Sequence, residues 1–281
     1  MDLRYYRRKW TDAAMTAVTL LCTAIVLAPL FLILLFLVKT GISAINWDFF
    51  TKLPGPAGEP GGGMANAMVG TLILVTLAGL MGVPLGVFAG LYVAEHPKAR
   101  LAAVARFTAD VLNGVPSIVA GLFAYVVIVL PMRHFSALSG GLALAVLLLP
   151  IVLRTTEEMV RLVPQSIREA ALALGIPWWR MTLRVTLPTA AAGITTGIMV
   201  GVARIAGETA PLLFTAFGNR FWNWNPLQPI AALPLQIFSY AISPFEDWHR
   251  QAWAGALVLV TIVLGLNIIA RYAATRQTKP Q

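Results

Sequence analysis

Charge is what this sequence has least of. Asp, Glu, Lys and Arg make up only 12% of its 281 residues, about half the share of a typical water-soluble chain. So few charges cannot cover a surface facing water, and lipid is the expected solvent. Cysteine is nearly absent too. Cys22 stands alone in an apolar run, which excludes an internal disulfide framework and predicts a small buried hydrophobe. The three histidines, His96, His134 and His249, are scattered, which argues against a metal centre. No Gly-x4-Gly-Lys-Ser/Thr run occurs, so ATP is not expected to be held here in the usual way. The adjacent glycines between Gly58 and Gly63 follow no strand pattern and read as a linker. No constellation for covalent chemistry is present.

What the chain does have is long apolar runs. Hydrophobic residues reach 58%. A bilayer core takes about 20 apolar residues as a helix. Stretches of that kind run from Ala13 to Val38, Gly61 to Ala94, Val111 to Met132, Phe135 to Leu153 and Gln251 to Ala270. One more, from Val185 to Phe217, carries Arg204 and Glu208. Six spans are therefore predicted. The first is too long for the apolar core of a cleaved signal peptide. Six spans place both termini on one side.

The net charge of +9 would suggest nucleic acid in a soluble protein. Here the basic residues sit beside apolar runs without interleaved aromatics, so no nucleic-acid partner is expected. With the N-terminus in the cytoplasm, 15 basic residues lie inside and five outside, with Arg204 left in a span. The inner group includes Arg4, Arg7, Arg8, Lys98, Arg106, Arg154, Arg161 and Lys279. The outer five are Lys39, Lys52, Arg133, Arg220 and Arg250. That bias predicts cytoplasmic termini. The eight tryptophans fall in loops or near span ends, as amphipathic rings do at an interface. Pro84, Pro116 and Pro150 interrupt spans two, three and four. They mark either helices packed on neighbours around a path or ordinary kinks.

The loop between spans four and five is the most informative. Pro164 suits a helix start, Gly175 its C-terminal cap, and Pro177 prevents continuation. Ile167, Ala170, Ala171 and Leu174 then share one apolar face. The short helix is either a lever tied to two spans or an amphipathic helix resting on the bilayer. Arg154 and Glu158, and Glu157 and Arg161, stand four apart and are expected to pair at the end of span four. In span five, Arg204 and Glu208 are also i and i+4. An ionisable residue inside a span is costly and points to function. Arg204 lies about 28 Å along the helix from Val185, toward the external half. Its planar fork of donors suits an oxyanion. The alternatives are a salt bridge to a neighbouring helix or snorkelling to the interface. Gly207 and Pro211 beside the pair form either a hinge or a close packing contact. The outer segment from Arg220 to Arg250 reads as an interfacial lid or docking surface.

Several motifs carry a family resemblance. Glu169-Ala170-Ala171, Gly175, Val185 and Leu187-Pro188 resemble the EAA loop of bacterial ABC importer permeases, with Val185 where Ile is usual. Arg204-Ile205-Ala206-Gly207-Glu208-Thr209-Ala210-Pro211-Leu212 resembles the signature of PstA-type permeases of phosphate-specific ABC transporters. Gly114-Val115-Pro116-Ser117-Ile118-Val119 followed by Gly121-Leu122-Phe123, Arg154-Thr155-Thr156-Glu157-Glu158 and Ala232-Leu233-Pro234-Leu235-Gln236-Ile237 resemble the same family. The likeness runs from about residue 65 to 275.

The resemblance implies an all-α integral membrane protein with six transmembrane helices in the type I ABC importer permease (MetI-like) fold. Its expected division is a cytoplasmic N-terminus at 1–12, a first helix and outer loop at 13–64, and a transmembrane domain at 65–275. The coupling loop occupies 164–188 and a tail 276–281. It implies a permease subunit for inorganic phosphate, not an enzyme. Arg204, Glu208 and Gly207 would form the translocation pathway. Glu169, Ala170, Ala171 and Gly175 would dock on the ATPase. The implied partners are a PstC-type permease, two PstB-type ABC ATPases, a PstS-type external phosphate-binding protein and membrane lipid. No cofactor is expected on this chain, with ATP and Mg in the ATPase. Two rivals remain: a permease for sulfate or molybdate, and a membrane enzyme acting on a lipid phosphate through the Arg/Glu pair.

Overall fold

The computed structural model describes residues 3–277, so Lys279 and the last residues of the expected tail lie outside it. In chain order the helices are α1 (Leu3–Gly41), α2 (Trp47–Thr51), α3 (Ala65–Glu95), α4 (Arg100–Gly114), α5 (Ser117–Ala124), α6 (Leu130–Met132) and α7 (Ala137–Arg161). There follow α8 (Gln165–Ala173), α9 (Trp178–Met181), α10 (Leu187–Ala206), α11 (Ala210–Leu213), α12 (Leu233–Ala241) and α13 (Glu246–Gln277). π-helical turns join α5 to α6 and α9 to α10. Among the described residues, five helical stretches are long and apolar enough to cross a membrane, and a bent pair makes a sixth.

α7 is the centre of the bundle. Helices in lipid gain little from burying apolar surface against one another, so close van der Waals packing between small residues holds them. Gly82, Gly86 and Gly90 form a stripe along α3 facing α7. A Cβ on Gly86 would lie 2.8 Å from Val152, and one on Gly90 2.5 Å from the Leu153 carbonyl. α10 presents a matching stripe, Gly193, Gly197 and Gly201, to Met159, Thr155 and Leu148. α7 is thus held on two sides by glycine faces. Pro84 and Pro150 lie inside helices that continue through them.

The third span, expected to be interrupted at Pro116, is broken there into two separate helices. α4 and α5 meet at 109°. Val115 is extended, with φ −73° and ψ 130°, as favoured before a proline, and Pro116 starts the next helix. Residues 111–114 therefore belong to α4. The stretch from Ser117 to Met132 rises only about 24 Å, short of the roughly 30 Å hydrocarbon core.

α1 runs without a break through the expected boundary at residue 12 and is almost wholly exposed within the chain. It meets the bundle near its C-terminal end, where Phe36 packs edge-on against Trp253 of α13. Cys22 is exposed on this helix, not buried as expected. It belongs to a face turned away from the rest of the chain.

Contacts between helix ends divide the molecule into two sides. One side gathers Glu95, Arg106, Glu157 and Arg168. The far side gathers Asn66, Ser136, Thr215 and Asn219: Asn66 donates to the Asn219 carbonyl at 2.7 Å, and Ser136 N to the Thr215 carbonyl at 3.0 Å. The Ser136 hydroxyl caps α7 by accepting from Ser139 N.

Candidate functional site

Arg204 occupies the last turn of α10, on the far side. The helix ends at Ala206, so Glu208 lies just beyond it instead of one turn along the same helix. The two still meet. Arg204 Nε stands 3.9 Å from Glu208 Oε1, with side chains 55% and 19% exposed. That separation is too long for a hydrogen bond. It leaves most of the guanidinium's donors directed elsewhere. Gly207 has φ −96° and ψ −2°, a conformation any residue adopts, and a Cβ there would touch only the Arg204 carbonyl at 3.8 Å. The expected close approach is instead at Gly121 of α5, where a Cβ would lie 2.5 Å from Pro211 Cα. Buried Pro211 fastens α11 against α5. The stretch Gly207–Thr209 is the break between the two helices.

The loop on the opposite side folds as its sequence predicts. Pro164 precedes α8. After it, Gly175 takes φ +74° and donates to the Leu172 carbonyl at 2.9 Å. Nothing lies within 4 Å of where a Gly175 Cβ would stand, so glycine is needed for the left-handed backbone and not for space. Ala171 is buried, while Glu169, Ala170, Ile167 and Leu174 are exposed. The apolar face is therefore largely uncovered by this chain. Arg168 ties the helix down: it donates to Glu95 Oε1 at 2.8 Å and to the Val160 carbonyl at 2.7 Å. Glu95 is the last residue of α3 and Val160 is near the end of α7. Glu95 Oε2 is buried without a partner in the chain.

Glu157 is the hub of the ionic cluster beside this loop. Its side chain is 2% exposed and accepts from Arg106 at 2.6 Å, Arg161 at 2.7 Å and Arg154 at 3.0 Å. The expected Glu157–Arg161 pair forms. Arg154 turns to Glu157 and to Asp110 of α4 instead of Glu158, which points outward. Arg106 also donates to the Val93 and Pro97 carbonyls. The ends of α3, α4 and α7 are thus bound together. Asp110 and Arg106 are the members sequence spacing missed, because they come from a helix whose separate existence depends on the bend at Pro116.

On the far side, the segment between α11 and α13 is folded back on itself. Asn219 and Asn223 both donate to the Pro229 carbonyl. Trp248 is buried and stacks on Tyr240 at 4.4 Å, with the Arg220 guanidinium 5.4 Å from its ring centroid. Burial pushes the Tyr240 phenol above its ordinary range, and nearby Gln236 and Arg220 partly oppose this. The phenol therefore stays protonated.

The family described as "Binding-protein-dependent transport system inner membrane component" matches residues 82–279. A relative from Yersinia pestis called phosphate transport system permease protein PstA is 47% identical over 275 residues, covering 96% of this chain and 93% of its own. One of the same name from Xylella fastidiosa (strain 9a5c) is 48% identical over 280 residues, covering 98% and 96%. Among solved structures, an inward-facing MetNI methionine ABC transporter chain superposes with a TM-score of 0.61. Identity is 16%, with 76% of this chain and 94% of that one covered. A chain of a bacterial transporter importing the polysaccharide alginate reaches 0.55 at 17% identity, covering 97% of this chain and 100% of that one. At such identities the likeness is one of fold, and it is the MetI-like permease fold. With the profile spanning most of its length and these relatives nearly all of it, the chain belongs to the inner-membrane components of binding-protein-dependent transport systems, in their PstA group.

Proposed function

We propose that this chain is the transmembrane permease subunit of an ATP-driven inorganic phosphate importer. The observation that carries the reading is near-full-length identity to relatives named as phosphate transport permeases. Arg204 gives it a mechanism. Its guanidinium is exposed and only loosely held by Glu208, so an arriving oxyanion replaces a weak contact rather than a buried one. Arg204 supplies a planar set of donors to phosphate. Glu208 neutralises the cation when the path is empty, and Gly207 lies in the break that lets the two part.

A component of this family works with an ATPase and a binding protein. In the finer reading, a PstC-type subunit forms the other half of the pathway, two PstB-type ATPases bind below, and a PstS-type protein delivers phosphate outside. ATP and Mg belong to the ATPase. Glu169, Ala170, Ala171 and Gly175 form the docking face for it, and Arg168 passes its movement to α3 and α7. Both termini are cytoplasmic, consistent with the 15-to-5 partition of basic residues. The coupling loop then faces the ATPase and Arg204 lies toward the outside.

The test is phosphate uptake normalised to assembled complex in membranes, with sulfate and molybdate as competitors. Arg204→Gln is expected to lower uptake at least tenfold at normal assembly, and Arg204→Lys to impair it less. Near-normal uptake in Arg204→Gln would remove Arg204 from the pathway. Full recovery in the charge-swapped Arg204→Glu, Glu208→Arg double variant would make the pair a structural bridge. Uptake blocked by sulfate or molybdate as strongly as by phosphate would favour another oxyanion.

A further inference from the structure

Arg204 and Glu208 are held close without being joined. Their Nε–Oε1 separation of 3.9 Å is beyond hydrogen-bond reach. Among the described residues, neither the guanidinium nor the carboxylate makes a hydrogen bond within the chain. Both side chains are open to solvent, and neither carboxylate oxygen is sealed off. The backbone between them is fixed: Gly207 N donates to the Arg204 carbonyl and Glu208 N to the Ile205 carbonyl, each at 3.2 Å. Arg204 also continues an exposed row on α10 with Thr196 and Val200, at i, i+4 and i+8. The pair therefore looks out from the bundle, with its hydrogen-bonding capacity unspent.

A guanidinium only donates, and a carboxylate only accepts. Side by side and unbonded, they match an occupant that offers an acceptor and a donor on adjoining atoms. Inorganic phosphate is such an occupant, because at neutral pH it keeps a proton and so has acceptor oxygens and a P–OH group. Sulfate and molybdate are fully ionised there and offer acceptors alone. Either of them, drawn to Arg204, would set an oxygen against the Glu208 carboxylate with like charge and no hydrogen between. A site that hydrogen-bonds a substrate hydroxyl rejects the analogue lacking it far more strongly than a pocket that judges size.

We infer that Glu208 is a specificity residue that selects the protonated oxyanion. With phosphate on Arg204, the P–OH donates to the Glu208 carboxylate, and sulfate and molybdate are turned away because they have no proton to give. Arg204 supplies the affinity and Glu208 the choice. The inference rests on the phosphate reading above.

The experiment is equilibrium binding of radiolabelled phosphate, competed by sulfate or arsenate, to the assembled permease–ATPase complex in lipid nanodiscs. The external binding protein is left out, so that only the permease chooses. Mildly alkaline buffer gives hydrogen phosphate, hydrogen arsenate and sulfate the same charge and leaves the proton as the difference. Wild type is expected to prefer phosphate over sulfate at least about a hundredfold. In Glu208→Gln, whose amide can donate, that preference should fall to within about tenfold, with phosphate against arsenate unchanged. Glu208→Asp keeps the carboxylate and should keep most of the preference. If Glu208 only balanced charge, Glu208→Gln would tighten phosphate and sulfate alike and leave their ratio where it was. That result would overturn the inference. So would a wild-type complex that imports phosphate yet by itself binds sulfate as well, or binds neither anion. Failure of the underlying reading looks different: the wild-type complex would take up no phosphate at all.

Discussion

At the scale of single residues, glycine separates two roles that sequence alone merges. Gly207 sits in a family signature, yet the structure leaves open space around it and gives it an ordinary backbone conformation. Gly121 sits in a family-like motif too, Gly121-Leu122-Phe123, and stands against Pro211 backbone. Gly207→Ala should therefore leave assembly and uptake within about twofold of wild type, because no neighbour has to move. Gly121→Leu should force α5 and α11 apart. Overpacking of that kind costs about 1–3 kcal/mol, and the assembled complex should lose thermal stability in a melting assay. A destabilised Gly207→Ala beside a silent Gly121→Leu would reverse the assignment. Arg204 and Glu208 were legible because charge in an apolar run stands out. Arg106 and Asp110 were not, since their meeting with Glu157 and Arg154 depends on a helix set apart by the bend at Pro116.

Among elements, α8 shows how much a local pattern can carry. Proline before it, glycine after it and four small or apolar residues at helical spacing predict its bounds to within a residue or two. Its grip on the bundle was hidden, because Glu95 is 73 residues from Arg168 and no periodicity relates them. That grip makes a specific demand. Arg168→Gln leaves Glu95 buried with two unpaired oxygens and frees α8 from the end of α3. Stimulated ATP hydrolysis in the reconstituted complex should persist while phosphate moved per ATP falls severalfold. Glu95→Gln should behave likewise. Unchanged transport per ATP in both variants would show that α8 drives the bundle by another contact. The bend between α4 and α5 teaches the complementary lesson. Gly114 and Pro116 are helix stop and start signals, but they stand inside an uncharged run long enough to read as one span.

For the whole molecule, composition settles the class and positive charge suggests the orientation. In a Cys22→Ser background, Asn225→Cys should react with an impermeant maleimide in intact cells, and Lys98→Cys only after the membrane is opened. Both positions are exposed in the chain, so shielding by the fold cannot mimic the result. The opposite pattern would invert the topology and place the coupling loop outside. What composition could not tell is how the spans touch. Both glycine stripes are visible in the sequence as Gly82, Gly86, Gly90 and Gly193, Gly197, Gly201. Only the structure gives them one shared neighbour in α7.

That shared neighbour has a mechanical consequence. Where long side chains interdigitate, rotamer changes soak up small displacements. Against the glycine face of α3 the neighbours are the Val152 Cβ and the Leu153 backbone carbonyl, which cannot rotate away, so α3 and α7 form a stiff pair. A shift imposed where Arg168 holds Glu95 and Val160 arrives undamped at the opposite ends of the same helices, beside Asn66 and Ser136. The compliance needed for alternating access must then reside in the seams around that pair, where α10 meets the Met159, Thr155 and Leu148 side chains, where α1 meets α13, and at the Gly121–Pro211 contact.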